Sequence, residues 1–407
     1  MTDLRPLCDL AIIGAGPAGL SAAVAARAAG AGHVVVLERE AEPGGIPRHC
    51  GHSPYGMREF RRVMGGRAYA ARLAAEARAA GAEIHCETSV IAIHPGGRLL
   101  VSTPKGAMEI GARRVLLATG CRETSRAARL IGGEKPGGIL NTGALQGLVY
   151  LQGITPFRRP LIVGSELVAF SALLTCRHAG MRPVGMAAPE ARPLARWPAG
   201  LLPRLMGVPF WGRTRIAAIH GHDRVTGVTL EGPDGPRDLA CDGVILSGRF
   251  RPENALALTG HLEIDPATRG PVVDSDGRCS DPAYFAAGNA LRGVETAGWC
   301  WAEGRRIGVA IAADLARGLP SPTLTVAAEG ALAYALPARI RPGSDGLPDL
   351  QLRAARPLRG RLTLTLDGTE ILSRTISARP ERRITLPLSI LPAGASGRLV
   401  VRLEEGG

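Results

Sequence analysis

The sequence predicts an α/β protein with two doubly wound domains, each with a three-layer ββα architecture. A small antiparallel β domain follows them. Three observations predict this fold. A glycine-rich strand–helix–strand unit lies near the start, a second unit of the same kind begins near residue 160, and the final part of the chain alternates polar and apolar residues with a period of two.

The first unit has the spacing of a dinucleotide site. An apolar strand leads into Gly14, Gly16 and Gly19, with Pro17 and Ala18 inside the motif. Glycine at the first position permits a tight turn, at the second leaves room for a pyrophosphate, and at the third brings the helix close to the sheet. Glu38 follows the second strand, where a carboxylate accepts hydrogen bonds from ribose hydroxyls.

The second unit, from Pro160 to about Ala179, keeps this pattern only in part. Gly164 is retained, but Glu166 and Ala169 stand at the second and third glycine positions. A carboxylate at the second position repels a pyrophosphate, so NAD(P) binding in the usual pose is doubtful. We therefore predict a retained fold with an eroded site, which leaves a regulatory or structural adenine nucleotide as an alternative ligand.

Other segments follow in order. Residues 43–56 are too rich in Gly and Pro for regular structure, and a helix is predicted from about Gly66 to Ala80 with Tyr69, Leu73 and Ala77 on one face. A strand ends in Ala118-Thr119-Gly120, a close backbone turn of the kind that covers a bound cofactor. Tyr284 to Asn289 and a helix from about Thr296 to Arg317 return the chain to the first domain, with Trp299 and Trp301 expected in the core.

The composition argues against several classes of function. Net charge is +13, but only Lys105 and Lys135 among the 49 basic residues are lysines. The arginines are spread along the chain without a long cluster, so nucleic acid is not an expected partner. The eight cysteines form no C-x-x-C pair, which argues against a dithiol site or a cysteine-ligated iron–sulfur cluster. No signal peptide or transmembrane segment is predicted, and we expect a cytoplasmic protein, either free or peripheral to the inner membrane through partners.

Three landmarks together resemble the two-dinucleotide-domain flavoproteins of the glutathione-reductase-like (pyridine nucleotide-disulfide oxidoreductase) superfamily. They are the first glycine motif with Glu38, Ala118-Thr119-Gly120, and the closing motif that ends in Gly288-Asn289. The resemblance implies Rossmann-like FAD/NAD(P)-binding domains with FAD in the first. In the superfamily the closing motif usually ends in Gly-Asp, whereas the Asn289 amide carries no charge.

Further segments resemble the FAD-containing α subunits of heteromeric dehydrogenases such as opine oxidase, D-hydroxyproline dehydrogenase and hydrogen cyanide synthase. This resemblance covers about residues 5 to 330, and the segments that carry it are 44–52, 143–146, 163–174 and 294–298. It implies that the partner is a separate substrate-oxidising flavoprotein subunit, with this chain relaying electrons. Some such subunits carry a cysteine-rich iron–sulfur module that is not found here. Whether the chain uses a separate small iron–sulfur subunit is therefore an open question at this point.

The resemblance also implies further site residues. The residues that would contact the cofactor are Arg39, Gly45, Ile46, Val90, Glu295, Thr296 and Ala297. The backbone of Thr296 and Ala297 would lie at the flavin. The segment Gly45 to His52 would lie beside the flavin ring, where Arg48 would stabilise the reduced ring. His49, Cys50 and His52 would handle protons or tune the flavin, or they simply pack within the loop. Their spacing matches no zinc site, and we predict no metal.

The predicted domains are residues 1–128 with 264–330 for FAD, an inserted NAD(P)-like domain at 129–263, and a β domain at 335–407, which contains no Cys or His. The predicted function is the FAD-dependent electron-relay α subunit of a heteromeric dehydrogenase that oxidises a small amine, amino acid or related metabolite. The alternative is a self-contained NAD(P)H-dependent flavin oxidoreductase.

Overall fold

The computed structural model describes residues 7–194 and 199–406, so the predicted domain ends at residues 1 and 407 lie outside the described part. In the first region the elements are β1 Leu7–Ile13, α1 Pro17–Ala28, β2 Val34–Leu37, α2 Ile46–His49, α3 Gly66–Ala79, β3 Glu83–His85, β4 Ser89–His94, β5 Arg98–Thr103, β6 Gly106–Leu117 and β7 Cys121–Glu123.

The second region contains β8 Gly132–Gly133, β9 Ile139–Asn141, α4 Thr142–Gln146, β10 Pro160–Val163, α5 Leu167–His178, β11 Gly185–Ala187, α6 Leu202–Leu205, β12 Phe210–Trp211, β13 Arg215–His220, β14 Gly227–Gly232, β15 Gly235–Ala240, β16 Gly243–Leu246 and β17 Phe250–Pro252. The chain then returns to the first region through α7 Ala255–Thr259, β18 Tyr284–Ala286 and α8 Ala297–Arg317.

The remaining strands are β19 Leu324–Gly330, β20 Leu332–Leu336, β21 Arg339–Ile340, β22 Asp349–Ala354, β23 Leu358–Leu366, β24 Thr369–Ala378, β25 Ile384–Pro387 and β26 Gly397–Glu405. Among the described residues, no helix combines the length and apolar character that crossing a bilayer requires.

The first sheet has the strand order β3-β2-β1-β6-β5-β4, and β18 pairs with β6. Strands β1, β2, β3, β6 and β18 are parallel where they pair, while β4, β5 and β6 form an antiparallel meander. The long strand β6 belongs both to the parallel part of the sheet and to the antiparallel meander. This organisation is that of the predicted three-layer ββα architecture. Helices α1 and α8 pack tightly because small residues meet: a Cβ atom added at Gly304 would lie 2.1 Å from the Ala18 carbonyl oxygen.

The second region repeats this plan. A parallel sheet in the order β12-β11-β10-β16-β9 lies beside the sheet β15-β14-β13-β8. The short antiparallel pair of β7 and β17 connects this region to the first, because the chain leaves through one strand and returns through the other. The predicted α/β class with two Rossmann-like domains is confirmed.

The C-terminal part forms two sheets, β21-β19-β26-β23-β24 and β20-β22-β25, around a separate apolar core. The predicted β domain is therefore present, and it begins before residue 335, with β19. Its pairs are antiparallel except β19 with β26, which is parallel. This pairing is nonlocal, so no turn signal in the sequence indicates it.

Two local expectations were wrong. Residues 46–49 form a one-turn helix within the turn-rich segment, because Pro47 stands in its first turn, where proline is tolerated. Trp299 does not lie in the core: it is 39% exposed, with the guanidinium groups of Arg58 and Arg383 each 3.8 Å from its ring centroid. Cation–π stacking of this kind stabilises an aromatic ring at the surface.

Candidate functional site

The three glycines after β1 differ in the space that surrounds them, as their spacing predicts. Gly14 has φ +106°, and a Cβ atom there would lie 2.6 Å from the Ala118 carbonyl oxygen. A Cβ atom at Gly19 would lie 2.0 Å from the Gly14 oxygen, whereas one at Gly16 would meet nothing within 4 Å. Two glycines are thus required for close packing, and the middle one leaves an open cradle at the start of α1.

Helix α1 begins at Pro17, directly after this cradle, and no side chain in the described part of the chain caps its N-terminus. Ala18 follows in the first turn. Backbone N–H groups at a helix start bind phosphate oxygens and carry the positive end of the helix dipole. The cradle and the uncapped helix start together fit a pyrophosphate.

Glu38 lies at the end of β2 with its carboxylate against the glycine turn. Its Oε2 accepts a hydrogen bond from the Ala15 N–H at 2.9 Å, and its Oε1 accepts one from the Glu40 N–H at 2.9 Å. Each oxygen keeps a further lone pair that a ribose hydroxyl can use. Arg39, the next residue, is exposed. Val90 lies in β4. Two residues before it, Thr88 donates its N–H to the Glu38 carbonyl.

The loop after β2 folds over the cradle. Gly44 donates its N–H to the Ala15 carbonyl at 2.8 Å, and a Cβ atom at Gly45 would lie 2.9 Å from the Gly16 Cα. Ile46 is exposed, while Arg48 is buried and forms ion pairs with Glu40 and Glu42 at 3.6 and 3.2 Å. Within the described residues the Arg48 Nε is buried without a hydrogen-bond partner, so this guanidinium retains an unused donor.

The next residues of the loop contact the second region. The Cys50 thiol donates to Gln146 Oε1 at 3.4 Å, Gln146 Nε2 donates to Ser171 Oγ at 2.7 Å, and Ser171 Oγ also forms a short hydrogen bond with His52 Nε2. Burial raises the pKa of Cys50, so the thiol form prevails at neutral pH. Burial and the charge of Arg48 lower the pKa of His49, so its ring is neutral there.

The two remaining landmarks close the site. Thr119 donates its hydroxyl to the Glu253 carbonyl at 2.6 Å, and a Cβ atom at Gly120 would meet nothing within 4 Å. A Cβ atom at Gly288 would lie 2.8 Å from the Ala18 Cβ, so the closing motif lies on the start of α1. The structure thus brings Ala118 and Gly288 against the glycine motif, and Gly120 follows two residues after Ala118.

Asn289 is oriented by the backbone of Glu295. Its Oδ1 accepts from the Glu295 N–H at 2.7 Å, and its Nδ2 donates to the Glu295 carbonyl at 3.1 Å. Thr296 is the N-cap residue of α8 and Ala297 its first residue, and no side chain caps this helix. The Glu295 carboxylate points elsewhere, since Arg353 of the β domain donates to it.

In the second region a carboxylate fills the glycine turn. Glu166 Oε2 accepts from the Ser165 N–H at 3.1 Å and would lie 2.9 Å from a Cβ atom on Gly164. Glu166 Oε1 accepts a short hydrogen bond from the Ser247 hydroxyl, and Glu190, three residues beyond β11, accepts one from the Ser165 hydroxyl at 3.0 Å. The carboxylate of Glu166 therefore occupies the position that the first region leaves open at Gly16.

Sequence reasoning missed a buried ionic group beneath the closing motif. Arg292 is 1% exposed, and its Nη2 donates to Glu303 Oε2 at 2.8 Å, while Glu303 Oε1 accepts from the Gly288 N–H at 2.7 Å. Burial alone would raise the pKa of Glu303, but the Arg292 guanidinium holds it below its ordinary value. No local sequence motif marks this pair.

The family model described as pyridine nucleotide-disulphide oxidoreductase matches residues 8–304. The chain belongs to this family of flavoproteins and is an oxidoreductase.

The chain is also similar to individual proteins. It is 31% identical to an opine oxidase subunit of Rhizobium meliloti over 185 residues, which are 44% of this chain and 38% of that protein. It is 24% identical to the alpha subunit of sarcosine oxidase from the same organism, over 78% of this chain and 32% of that protein. The matches thus span about a third of the length of these two relatives.

Among solved structures, thioredoxin reductase of T. acidophilum matches with a TM-score of 0.63 and 21% identity, over 76% of this chain and 99% of that one. This similarity supports the fold.

Proposed function

We propose that this chain is the FAD-dependent electron-relay α subunit of a heteromeric dehydrogenase that oxidises a small amine, an amino acid or a related metabolite. When bound, FAD supplies the two-electron redox chemistry. The position of the Glu166 carboxylate in the second glycine turn is the observation that carries the proposal, because a relay subunit does not need NAD(P)H as its electron donor.

The first region supplies the residues that would hold FAD. Gly16 and the start of α1 would receive the pyrophosphate, Glu38 would accept hydrogen bonds from a ribose, and the uncapped start of α8 would face the negative charge of a reduced flavin. The buried Arg48 guanidinium and the neutral His49 ring lie in the loop over the cradle, which supports its expected place beside the cofactor.

Cys50 argues against disulfide chemistry. It contacts Gln146 instead of a second cysteine, and burial raises its pKa, so the nucleophilic thiolate is disfavoured. Reduction of a disulfide through a protein dithiol requires two cysteines that exchange electrons with the flavin, and a single-cysteine route requires a reactive thiolate. The family membership is therefore compatible with a redox role other than disulfide reduction.

The named relatives support the heteromeric part of the proposal. Two of them are subunits of oxidases by name. We propose that the direct partner is a substrate-oxidising flavoprotein subunit. Copurification will test whether the complex also contains a small iron–sulfur subunit.

The test is anaerobic stopped-flow absorbance of the purified, FAD-loaded chain mixed with NADH or NADPH. We expect no rapid loss of the oxidised flavin band with either, and rapid loss once the partner subunit is added together with its substrate. Fast, saturable reduction by a nicotinamide nucleotide would establish the alternative, a self-contained NAD(P)H-dependent oxidoreductase. Acid extraction of the same protein will show whether an adenine nucleotide other than FAD occupies the second region.

A further inference from the structure

The C-terminal β domain reaches the segment that closes the first site. Arg353 Nη2, on β22, donates to Glu295 Oε1 at 2.8 Å, and Gln351 Nε2, two residues earlier, donates to Glu303 Oε2 at 3.3 Å. Arg383, just before β25, stacks on Trp299 and lies 3.9 Å from Glu295 Oε2. Three side chains of one domain thus contact a single stretch of another.

The same stretch contacts the closing motif on its other side. The Glu295 backbone holds both polar atoms of the Asn289 side chain, and Glu303 holds the Gly288 N–H. Each acidic residue therefore joins the β domain to Gly288-Asn289 directly. A displacement of Glu295 would change the direction in which the Asn289 amide points.

These contacts are shielded from water. The side chains of Glu295 and Arg353 are 7% and 13% exposed, and Arg353 also donates to the Tyr334 hydroxyl at 3.3 Å and the Pro380 carbonyl at 3.1 Å. The guanidinium is consequently fixed within the β domain. Removal of Arg353 leaves Glu295 with the longer 3.9 Å contact to Arg383, so its carboxylate and its backbone should shift.

We propose that the C-terminal β domain is a structural component of the cofactor site, in which Arg353 acts as a positioning residue through Glu295. The pair holds Gly288-Asn289 and the start of α8 in the arrangement that receives FAD. This inference rests on the proposed FAD site. It assigns to the β domain a role that the family match, which ends at residue 304, does not cover.

The experiment measures the dissociation constant of FAD for apoprotein of the full chain by flavin fluorescence, together with the melting temperature with and without FAD. The variants are Arg353→Met, Glu295→Gln and their combination. We expect each single variant to bind FAD about tenfold more weakly, and the double variant to bind no more weakly than the worse single variant, because the two residues act as one unit.

Two further variants distinguish positioning from general stability. Arg353→Lys keeps the charge and should restore most of the affinity. Arg402→Met breaks an exposed pair with Glu329 in the same domain and should leave FAD affinity and the FAD-dependent rise in melting temperature unchanged.

If Arg353→Met lowers the melting temperature of the apoprotein but leaves the FAD dissociation constant at the wild-type value, the positioning role is overturned. Additive losses in the double variant would also overturn it. Failure of the wild-type apoprotein to bind FAD would instead remove the proposed function, and with it this inference.

Discussion

The carboxylate of Glu166 lies against Gly248, so close that a Cβ atom on Gly248 would be 2.7 Å from the Glu166 Cδ. The side chain therefore fills the gap between the turns that follow β10 and β16. In a doubly wound sheet this gap at the carboxyl ends of the strands receives a ligand. One acidic side chain thus distinguishes the glycine turn of the second Rossmann-like region from that of the first.

Replacement of Glu166 by glycine should open this gap. We expect Glu166→Gly to accelerate reduction of the flavin by NADH or NADPH about tenfold or more, because a change of ~1.4 kcal/mol in binding free energy is sufficient. Glu166→Gln, which removes the charge and keeps the volume, should have a smaller effect. The measurement is the anaerobic stopped-flow assay described above.

The matched control for that experiment is Glu231→Gln, since Glu231 forms an exposed pair with Arg215 away from the gap. If Glu166→Gly behaves like this control, the carboxylate is not the barrier to nicotinamide nucleotides.

Two glycines of the first motif should respond differently to enlargement. Gly16 has φ −81° and ψ −176°, a conformation open to any residue, so Gly16→Val should fold normally and lose FAD. Gly19→Val should destabilise the protein by about 1–3 kcal/mol or more, because its Cβ atom would meet the Gly14 oxygen. FAD content and urea unfolding of both variants test this. Normal FAD content in Gly16→Val would contradict the assignment of the cradle.

The buried pair of Arg292 and Glu303 should make stability dependent on acid pH. The pKa of Glu303 is lowered in the folded state, so its contribution is present above the ordinary value of 4.5 and is lost as the pH falls through the folded pKa. Glu303→Gln should cost about 3–5 kcal/mol at neutral pH and flatten the dependence in acid. Urea unfolding from neutral to acid pH measures both effects.

An exposed pair provides the comparison for this prediction. Arg356→Met, which breaks the surface contact of Arg356 with Glu405, should leave the neutral stability nearly unchanged. An equal loss from both pairs would show that burial does not distinguish them.

Cys50 should resist alkylation in the native protein. Burial raises its pKa, and the thiol is hydrogen-bonded to Gln146, so neither access nor ionisation favours attack. Iodoacetamide treatment at neutral pH followed by mass spectrometry should leave Cys50 unmodified, and denaturant should make it reactive. Rapid modification of the native protein would indicate an exposed thiolate and reopen a catalytic role.

The first glycine motif was predictable because its chemistry is local. Gly14, Gly16 and Gly19 act within one turn and one helix start, and each has a single geometric purpose that a sequence spacing can encode. The same spacing argument predicts that the Glu166 carboxylate would repel a pyrophosphate, and this stays a prediction.

The contacts between distant segments were not predictable. Gln351 and Glu303 are 48 residues apart, and Arg353 and Glu295 are 58 apart, and neither pair belongs to a motif. Trp299 illustrates the same limit, since aromatic residues are commonly buried, whereas this ring lies at the surface with two arginines packed against it. Such arrangements depend on how whole domains meet.

The placement of β26 has a consequence for synthesis. This strand lies between β19 and β23, so residues 397–405 form the middle of their sheet although they follow all its other strands in the chain. A ribosome releases β19 and β23 before the strand that joins them exists. The β domain therefore completes its five-stranded sheet only after residue 405 has emerged, whereas the smaller sheet that carries Arg353 consists of strands made earlier.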